Sequence, residues 1–142
     1  MISDAMKVRL RPGERFRAAI EACRPEMLPV GLQTFPHGAC GDATLLLAKY
    51  LERNGHTGFI YVLGMRGERS HAWLRRGELL IDITPDQFEE QDEAVIVGCD
   101  SVWHSTFTKK DEHHADFEKY NEFTAASLAR AYQVILQALN AK

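Results

Sequence analysis

Cys40, His71 and Asp82 follow one another along the chain as a thiol, an imidazole and a carboxylate that could act together. Cys40 lies where an irregular segment gives way to an apolar helical pattern, so its sulfur is predicted at a helix N-terminus. The unpaired N–H groups and the helix dipole there favour an anion, which lowers the pKa of a thiol from its usual value of about 8.5. Taken alone, Cys40 could also be a small buried apolar residue.

His71 and Asp82 fall on two consecutive predicted strands. A turn of two or four residues centred on Arg76 and Gly77 places His71 directly opposite Asp82, where the carboxylate can orient the imidazole. We favour the four-residue turn, because Arg-Gly is not a preferred two-residue turn. Taken singly, the two residues could be a hydrogen-bonded strand histidine and a carboxylate that binds neighbouring backbone. Together with Cys40 they fit a nucleophile, a base and an orienting group.

Three short motifs surround these residues: Gly38-Ala39-Cys40-Gly41-Asp42-Ala43 at the start of an apolar helix, Ser70-His71-Ala72-Trp73-Leu74, and Ile81-Asp82-Ile83-Thr84. In this order they resemble the transglutaminase-like superfamily of papain-like thiol enzymes. The resemblance covers residues 35–88. It implies a helix packed on an antiparallel sheet, with Cys40 as nucleophile, His71 as base and acid, and Asp82 as the orienting carboxylate.

Three further side chains are candidates for contacts with the substrate or the oxyanion. Gln33 could donate to the oxyanion beside the Cys40 N–H, as an upstream glutamine does in papain-like proteases; it could also be a solvated loop amide. Trp73 shares the face of His71 by strand alternation and could shield that residue or simply belong to the core. His37 could contact substrate or be a surface histidine.

The remaining pattern predicts an α+β fold in a single domain over residues 1–142. Predicted helices cover Glu14–Arg24, Cys40–Asn54 and Asp116–Asn140, so the core carries N-terminal and C-terminal helices. Predicted strands cover Thr57–Leu63, Ser70–Arg75, Glu78–Thr84 and Ala94–Cys99, in a largely antiparallel meander.

A second group of residues has the side chains that zinc prefers: His104, Asp111, His113, His114 and Asp116. Their spacing matches no fixed metal motif and two lysines lie among them, so we expect a solvated loop and neither a metal nor a cofactor. His104 with Trp103 and Phe107 could instead form a wall of the Cys40 site. A metal-dependent hydrolase built on this group stays as an alternative.

The composition argues against nucleic acid and membranes as partners. The chain has 142 residues, 17 Lys and Arg against 20 Asp and Glu, and a net charge of −3. It lacks the basic stripe that nucleic-acid binding needs and an apolar run long enough for a membrane span. Three cysteines are too few for a disulfide framework, which favours a cytoplasmic protein. Cys23 and Cys99 are best explained by packing.

The leading hypothesis is a cysteine-dependent acyl transfer or hydrolysis on an amide bond, acting through a thioester on a peptide or small amide. The sequence does not distinguish water from an amine as the second acceptor, nor does it predict the oligomeric state. A catalytically inactive binding or scaffolding module of the same fold is the alternative.

Overall fold

One antiparallel sheet and the helices around it form an α+β fold, which confirms the predicted class. The computed structural model describes residues 4–99 and 101–141, with side chains from residue 12 onward. The helices are α1 (Asp4–Ala22), α2 (Val30–Gln33), α3 (Cys40–Arg53), α4 (Val102–Ser105) and α5 (Glu122–Asn140). The strands are β1 (Ile60–Arg66), β2 (Arg69–Arg76), β3 (Leu79–Asp82), β4 (Ile96–Gly98) and β5 (Thr108–His114). They are ordered β4-β3-β2-β1-β5.

Helix α3 is the element that fixes Cys40 against the sheet. Its leucines recur at helical spacing and are buried, among them Leu46, Leu47 and Leu51. The helix closes at Gly55, whose φ of 88° is the left-handed geometry that favours glycine after a helix. The Thr44 hydroxyl donates to the Ala72 carbonyl of β2 at 3.3 Å, so the first turns of α3 lie on the strand that carries His71.

The sheet has two differently packed faces. Leu74, Ile81 and Ile83 point into the larger core, which also contains the apolar sides of α1, α3 and α5. The opposite face, called here the aromatic face, carries a smaller set of buried residues: Val62, Trp73, Leu80, Phe88 and Phe107. Alternation along β2 and β3 places both His71 and Asp82 on the aromatic face.

The β2–β3 hairpin differs from the predicted register by two residues. Arg76 pairs with Leu79, which leaves Gly77 and Glu78 as a two-residue turn. Gly77 has a φ of 60°, as the first position of a type II′ turn requires. Because a shift of two preserves the face of each side chain, His71 and Asp82 stay on the same face but are diagonal neighbours and not directly opposite.

Strand β5 corrects the prediction of a solvated loop. Residues 108–114 pair with β1 at the edge of the sheet, with a register irregularity between Leu63 and Gly64. Their side chains are nearly all exposed and include two lysines and two histidines, so they lack the apolar alternation by which a strand is identified.

The terminal helices also differ from their predicted bounds. α1 begins ten residues before the predicted Glu14, at Asp4. α5 begins at Glu122 and not at Asp116, because the Asn121 side chain caps it by accepting from the Thr124 N–H at 2.9 Å. Within the described ranges, no helix is both long and apolar enough to cross a membrane.

Candidate active site

Cys40 is the first residue of α3, as the sequence predicts, and it is half-buried. The helical ladder starts with the Ala43 N–H, which donates to the Ala39 carbonyl at 2.8 Å. The N–H groups of Cys40, Gly41 and Asp42 therefore precede the ladder and form the positive end of the helix dipole. The thiol is neither sealed in the core nor freely exposed.

The surroundings of Cys40 favour its thiolate. Burial by itself raises the pKa of the thiol, but hydrogen bonding from His71 and from Gln87 outweighs it, and the pKa lies below the ordinary value. The charge of His71 and the Ala72 backbone act in the same direction. The sulfur is therefore close enough to His71 and Gln87 for both side chains to stabilise its charged form.

His71 and Asp82 form a buried pair. Nε2 of His71 lies 2.6 Å from Oδ2 of Asp82. Burial by itself lowers the pKa of His71, because it disfavours the charged imidazole. The charge and hydrogen bond of Asp82, together with those of Cys40, outweigh burial and raise the pKa of His71 to about 9. Burial likewise raises the pKa of Asp82, and the charge of His71 with hydrogen bonds from two imidazoles brings it below the usual value. Asp82 is thus ionised, and its Oδ1 accepts the Thr84 N–H at 2.9 Å.

His104 is a second imidazole on the same carboxylate. Its Nε2 lies 2.6 Å from Oδ2 of Asp82, and its Nδ1 lies 2.6 Å from the Ser101 hydroxyl. Ser101 also caps α4 by accepting the His104 N–H at 3.1 Å. The sequence placed His104 in a metal group or a groove wall and did not indicate this contact, because no sequence spacing connects the short α4 to β3.

Gln87 is a site residue that the sequence analysis did not single out. Its Nε2 lies 2.7 Å from Nδ1 of His71, the ring nitrogen that Asp82 does not use. A neutral ring accepts from this amide, whereas an imidazolium requires the amide to present its oxygen. One signal in the sequence could have indicated Gln87, namely the proline of Thr84-Pro85-Asp86. A proline directly after the Asp82 strand opens a 3₁₀ turn, and this turn brings the chain back towards the site.

Aromatic rings enclose the imidazole of His71. Trp73 lies 5.7 Å from it between ring centroids, and Phe88, Trp103 and Phe107 lie at 5.2, 5.5 and 5.8 Å. The predicted placement of Trp73 on the face of His71 is therefore confirmed. Such an apolar surround strengthens the charge interaction between His71 and Asp82.

The two predicted residues upstream of Cys40 are placed differently. Gln33 is exposed and donates through Nε2 to the Leu28 carbonyl at 3.0 Å, so its amide is engaged there and not with Cys40. This removes the support for Gln33 as oxyanion donor. His37 is exposed in the turn before α3, where contact with a substrate stays a prediction.

The predicted metal group is divided by the fold. His113 on β5 contacts Asp111 at 3.0 Å and the Tyr120 hydroxyl at 2.9 Å, whereas His104 lies on Asp82. Within residues 4–99 and 101–141, the group able to hold a metal is instead His71, Asp82 and His104, whose ligand atoms lie within 4.8 Å of one another. Two imidazoles and one carboxylate suit zinc or iron.

Two of the larger cavities lie apart from the thiol. One of about 690 Å³ lies between α3 and α5 and includes Lys49, which is paired with Glu118. Another of about 400 Å³ is lined in part by Trp73 and His104. The second cavity reaches the Asp82 side of the site but does not include Cys40.

No known protein-family model, curated protein or solved structure matches the chain.

Proposed function

We propose that the protein catalyses acyl transfer or hydrolysis on amide bonds through a thioester on Cys40. The observation that carries the proposal is the buried 2.6 Å contact between His71 and Asp82 beside a thiol at a helix N-terminus. The resemblance to the transglutaminase-like superfamily supports the same roles for the three residues. A binding module has no need for a buried ion pair and a thiol of lowered pKa at one place.

In the first half-reaction the Cys40 thiolate attacks the amide carbonyl carbon, and the carbonyl π electrons move to oxygen. The tetrahedral intermediate then expels the amine, which takes the proton that His71 carries on Nδ1. The C–N bond breaks and a thioester remains on Cys40. Asp82 keeps Nε2 of His71 protonated throughout and so directs Nδ1 towards the reaction.

In the second half-reaction a water molecule or an amine attacks the thioester. Nδ1 of His71 accepts a proton from the attacking group, and the C–S bond breaks to return the thiolate. Water gives a carboxylic acid, whereas an amine gives a new amide. Both outcomes restore the starting charges on Cys40 and His71.

The oxyanion needs hydrogen-bond donors at the start of α3. The Cys40 N–H is one, and we assign the Gln87 amide as the second in place of Gln33. Tyr61 is a third candidate, because a Cβ on Gly41 would lie only 3.3 Å from its hydroxyl. Burial, with the negative charge of Cys40, raises the pKa of Tyr61, which therefore remains a donor.

Alkylation of the three cysteines tests the proposal within one molecule. We expect iodoacetamide at pH 6 to modify Cys40 at least about tenfold faster than Cys23 or Cys99, as read by mass spectrometry of peptides. Cys99 is the exposed control, and burial raises the pKa of Cys23. His71→Ala should remove the difference. Equal and slow modification of all three in the unaltered protein would favour the binding module.

A metal-dependent hydrolase is the second candidate, because His71, Asp82 and His104 can bind one ion. A cation there would replace the protons that join both imidazoles to Asp82. His71 would then be a metal ligand and could no longer carry the proton that the Cys40 mechanism requires. Metal analysis of the purified protein distinguishes the two. One zinc or iron per chain, with loss of activity on chelation, would favour the metal, whereas activity without metal would exclude it.

A further inference from the structure

We infer that Arg69 binds an anionic group of the substrate, so that the preferred substrates carry a carboxylate close to the amide bond that is cleaved. This inference rests on the proposed function, since it concerns the substrate of the same site. It adds a class of substrate that the three reacting side chains do not specify.

Arg69 lies at the border of the site. It precedes His71 by two residues on β2, so both side chains leave the same face of the sheet. Its guanidinium lies 4.1 Å from the centre of the Phe88 ring, and Phe88 in turn packs edge-on against His71. Nη2 of Arg69 also approaches the carbonyl of Gln87 at 3.5 Å. Arg69 is therefore beside the backbone of Gln87, whose side chain contacts His71.

The charge of Arg69 is available, unlike that of its neighbours. Arg66, directly across the β1–β2 hairpin, is paired with Glu90, and Arg75 at the other end of β2 is paired with Glu112. Among the described residues no carboxylate lies within ion-pair distance of Arg69, and its side chain is exposed. An exposed, unpaired guanidinium held against Phe88 and Gln87, at the border of the site, attracts anions towards the site.

The geometry of the guanidinium suits a carboxylate. Stacking on Phe88 holds the planar group in one orientation, so less freedom is lost when it binds. A guanidinium can then offer two parallel N–H groups to the two oxygens of a carboxylate, which the point charge of a lysine does not do.

Two alkylating reagents of similar size test this inference: neutral iodoacetamide and anionic iodoacetate. The measured quantity is the ratio of their rate constants at Cys40, iodoacetate over iodoacetamide, at low ionic strength. Arg69→Gln should lower this ratio roughly two- to fivefold, the range expected for one exposed charge interaction. The ratio cancels any change in the thiolate fraction of Cys40, because such a change affects both reagents alike, and added salt should reduce the difference between variant and parent.

Matched variants separate charge from packing. Arg69→Lys keeps the charge but loses the two parallel N–H groups, so it should retain only part of the ratio. Arg76→Gln removes a charge from the far end of the same strand and should leave the ratio unchanged. An unchanged ratio in Arg69→Gln would overturn the inference, as would an equal decrease in Arg76→Gln. Failure of the proposed function looks different, because Cys40 would then be slow towards iodoacetamide in every variant.

Discussion

Asp82 accepts hydrogen bonds at both carboxylate oxygens although only 1% of its surface is exposed. His71 and His104 share Oδ2, and the Thr84 N–H binds Oδ1. Three donors keep a buried carboxylate ionised and fix its orientation. The position of the His71 imidazole therefore depends on a residue, His104, that has no direct access to Cys40 in the proposed reaction.

Replacing His104 tests this dependence. His104→Leu removes one donor from Asp82 and should lower the free energy of unfolding by about 1–3 kcal/mol, as measured by urea denaturation. It should also slow alkylation of Cys40 by iodoacetamide, because the carboxylate is then free to rotate away from His71. His104→Gln, which keeps an N–H donor, should recover part of both losses. If His104→Leu matched the unaltered protein in both measurements, this role would be excluded.

Residue types and alternation were enough to predict Cys40 at a helix start and to place His71, Trp73 and Asp82 on one face. Gln87 could not be found in this way, and His104 was predicted only as part of a wall of the site, without its contact with Asp82. Both lie on single short turns, whose direction depends on tertiary packing and leaves no periodic pattern in the sequence.

At the scale of the elements, the β2–β3 hairpin decides whether His71 meets Asp82. The sequence predicted the correct face but a register that differs by two residues, because Gly77 was assigned to the second position of a turn and occupies the first. Strand β5 was not predicted, because its polar side chains show no strand pattern. Helix α3 was predicted to within one residue, because its apolar stripe is continuous.

The turn itself can be tested at Gly77, whose φ of 60° is unfavourable for residues with a Cβ. Gly77→Ala should lower the free energy of unfolding by about 1–2 kcal/mol, and Gly77→Asn should cost less because asparagine tolerates this geometry. Gly98→Ala is the control, since a Cβ there meets open space and its φ is not positive. Equal stability of Gly77→Ala and Gly98→Ala in thermal unfolding would refute the assigned turn.

At the scale of the whole molecule, α1 is tied to the segment that follows Asp82. Arg17 is buried and donates to the Ile83 carbonyl at 2.9 Å and to the Ala94 carbonyl at 2.8 Å. It also binds both carboxylate oxygens of Asp86, at 2.7 and 2.8 Å. The segment between Asp82 and Gln87 therefore takes its position from the N-terminal helix, a contact that no local pattern predicts.

Arg17→Leu should lower the free energy of unfolding by about 3–5 kcal/mol, because it leaves Asp86 and two carbonyls without their partner. Where the variant still folds, Cys40 should react more slowly with iodoacetamide, since Gln87 is no longer fixed. Arg24→Gln, at an exposed residue of the same region, should change neither urea denaturation nor alkylation. An Arg17→Leu protein as stable as the Arg24→Gln protein would contradict this account.

The most direct test is the pH dependence of the Cys40 thiolate, followed by ultraviolet absorbance in a protein that carries Cys23→Ser and Cys99→Ser. Because the pKa of Cys40 is lowered and that of His71 is raised to about 9, thiolate and imidazolium should coexist over the intervening pH range. We predict a thiolate midpoint below the ordinary value of a cysteine thiol that moves to higher pH in His71→Ala, where less of the effect of burial is offset. A midpoint above that value, or one that His71→Ala leaves in place, would contradict the account.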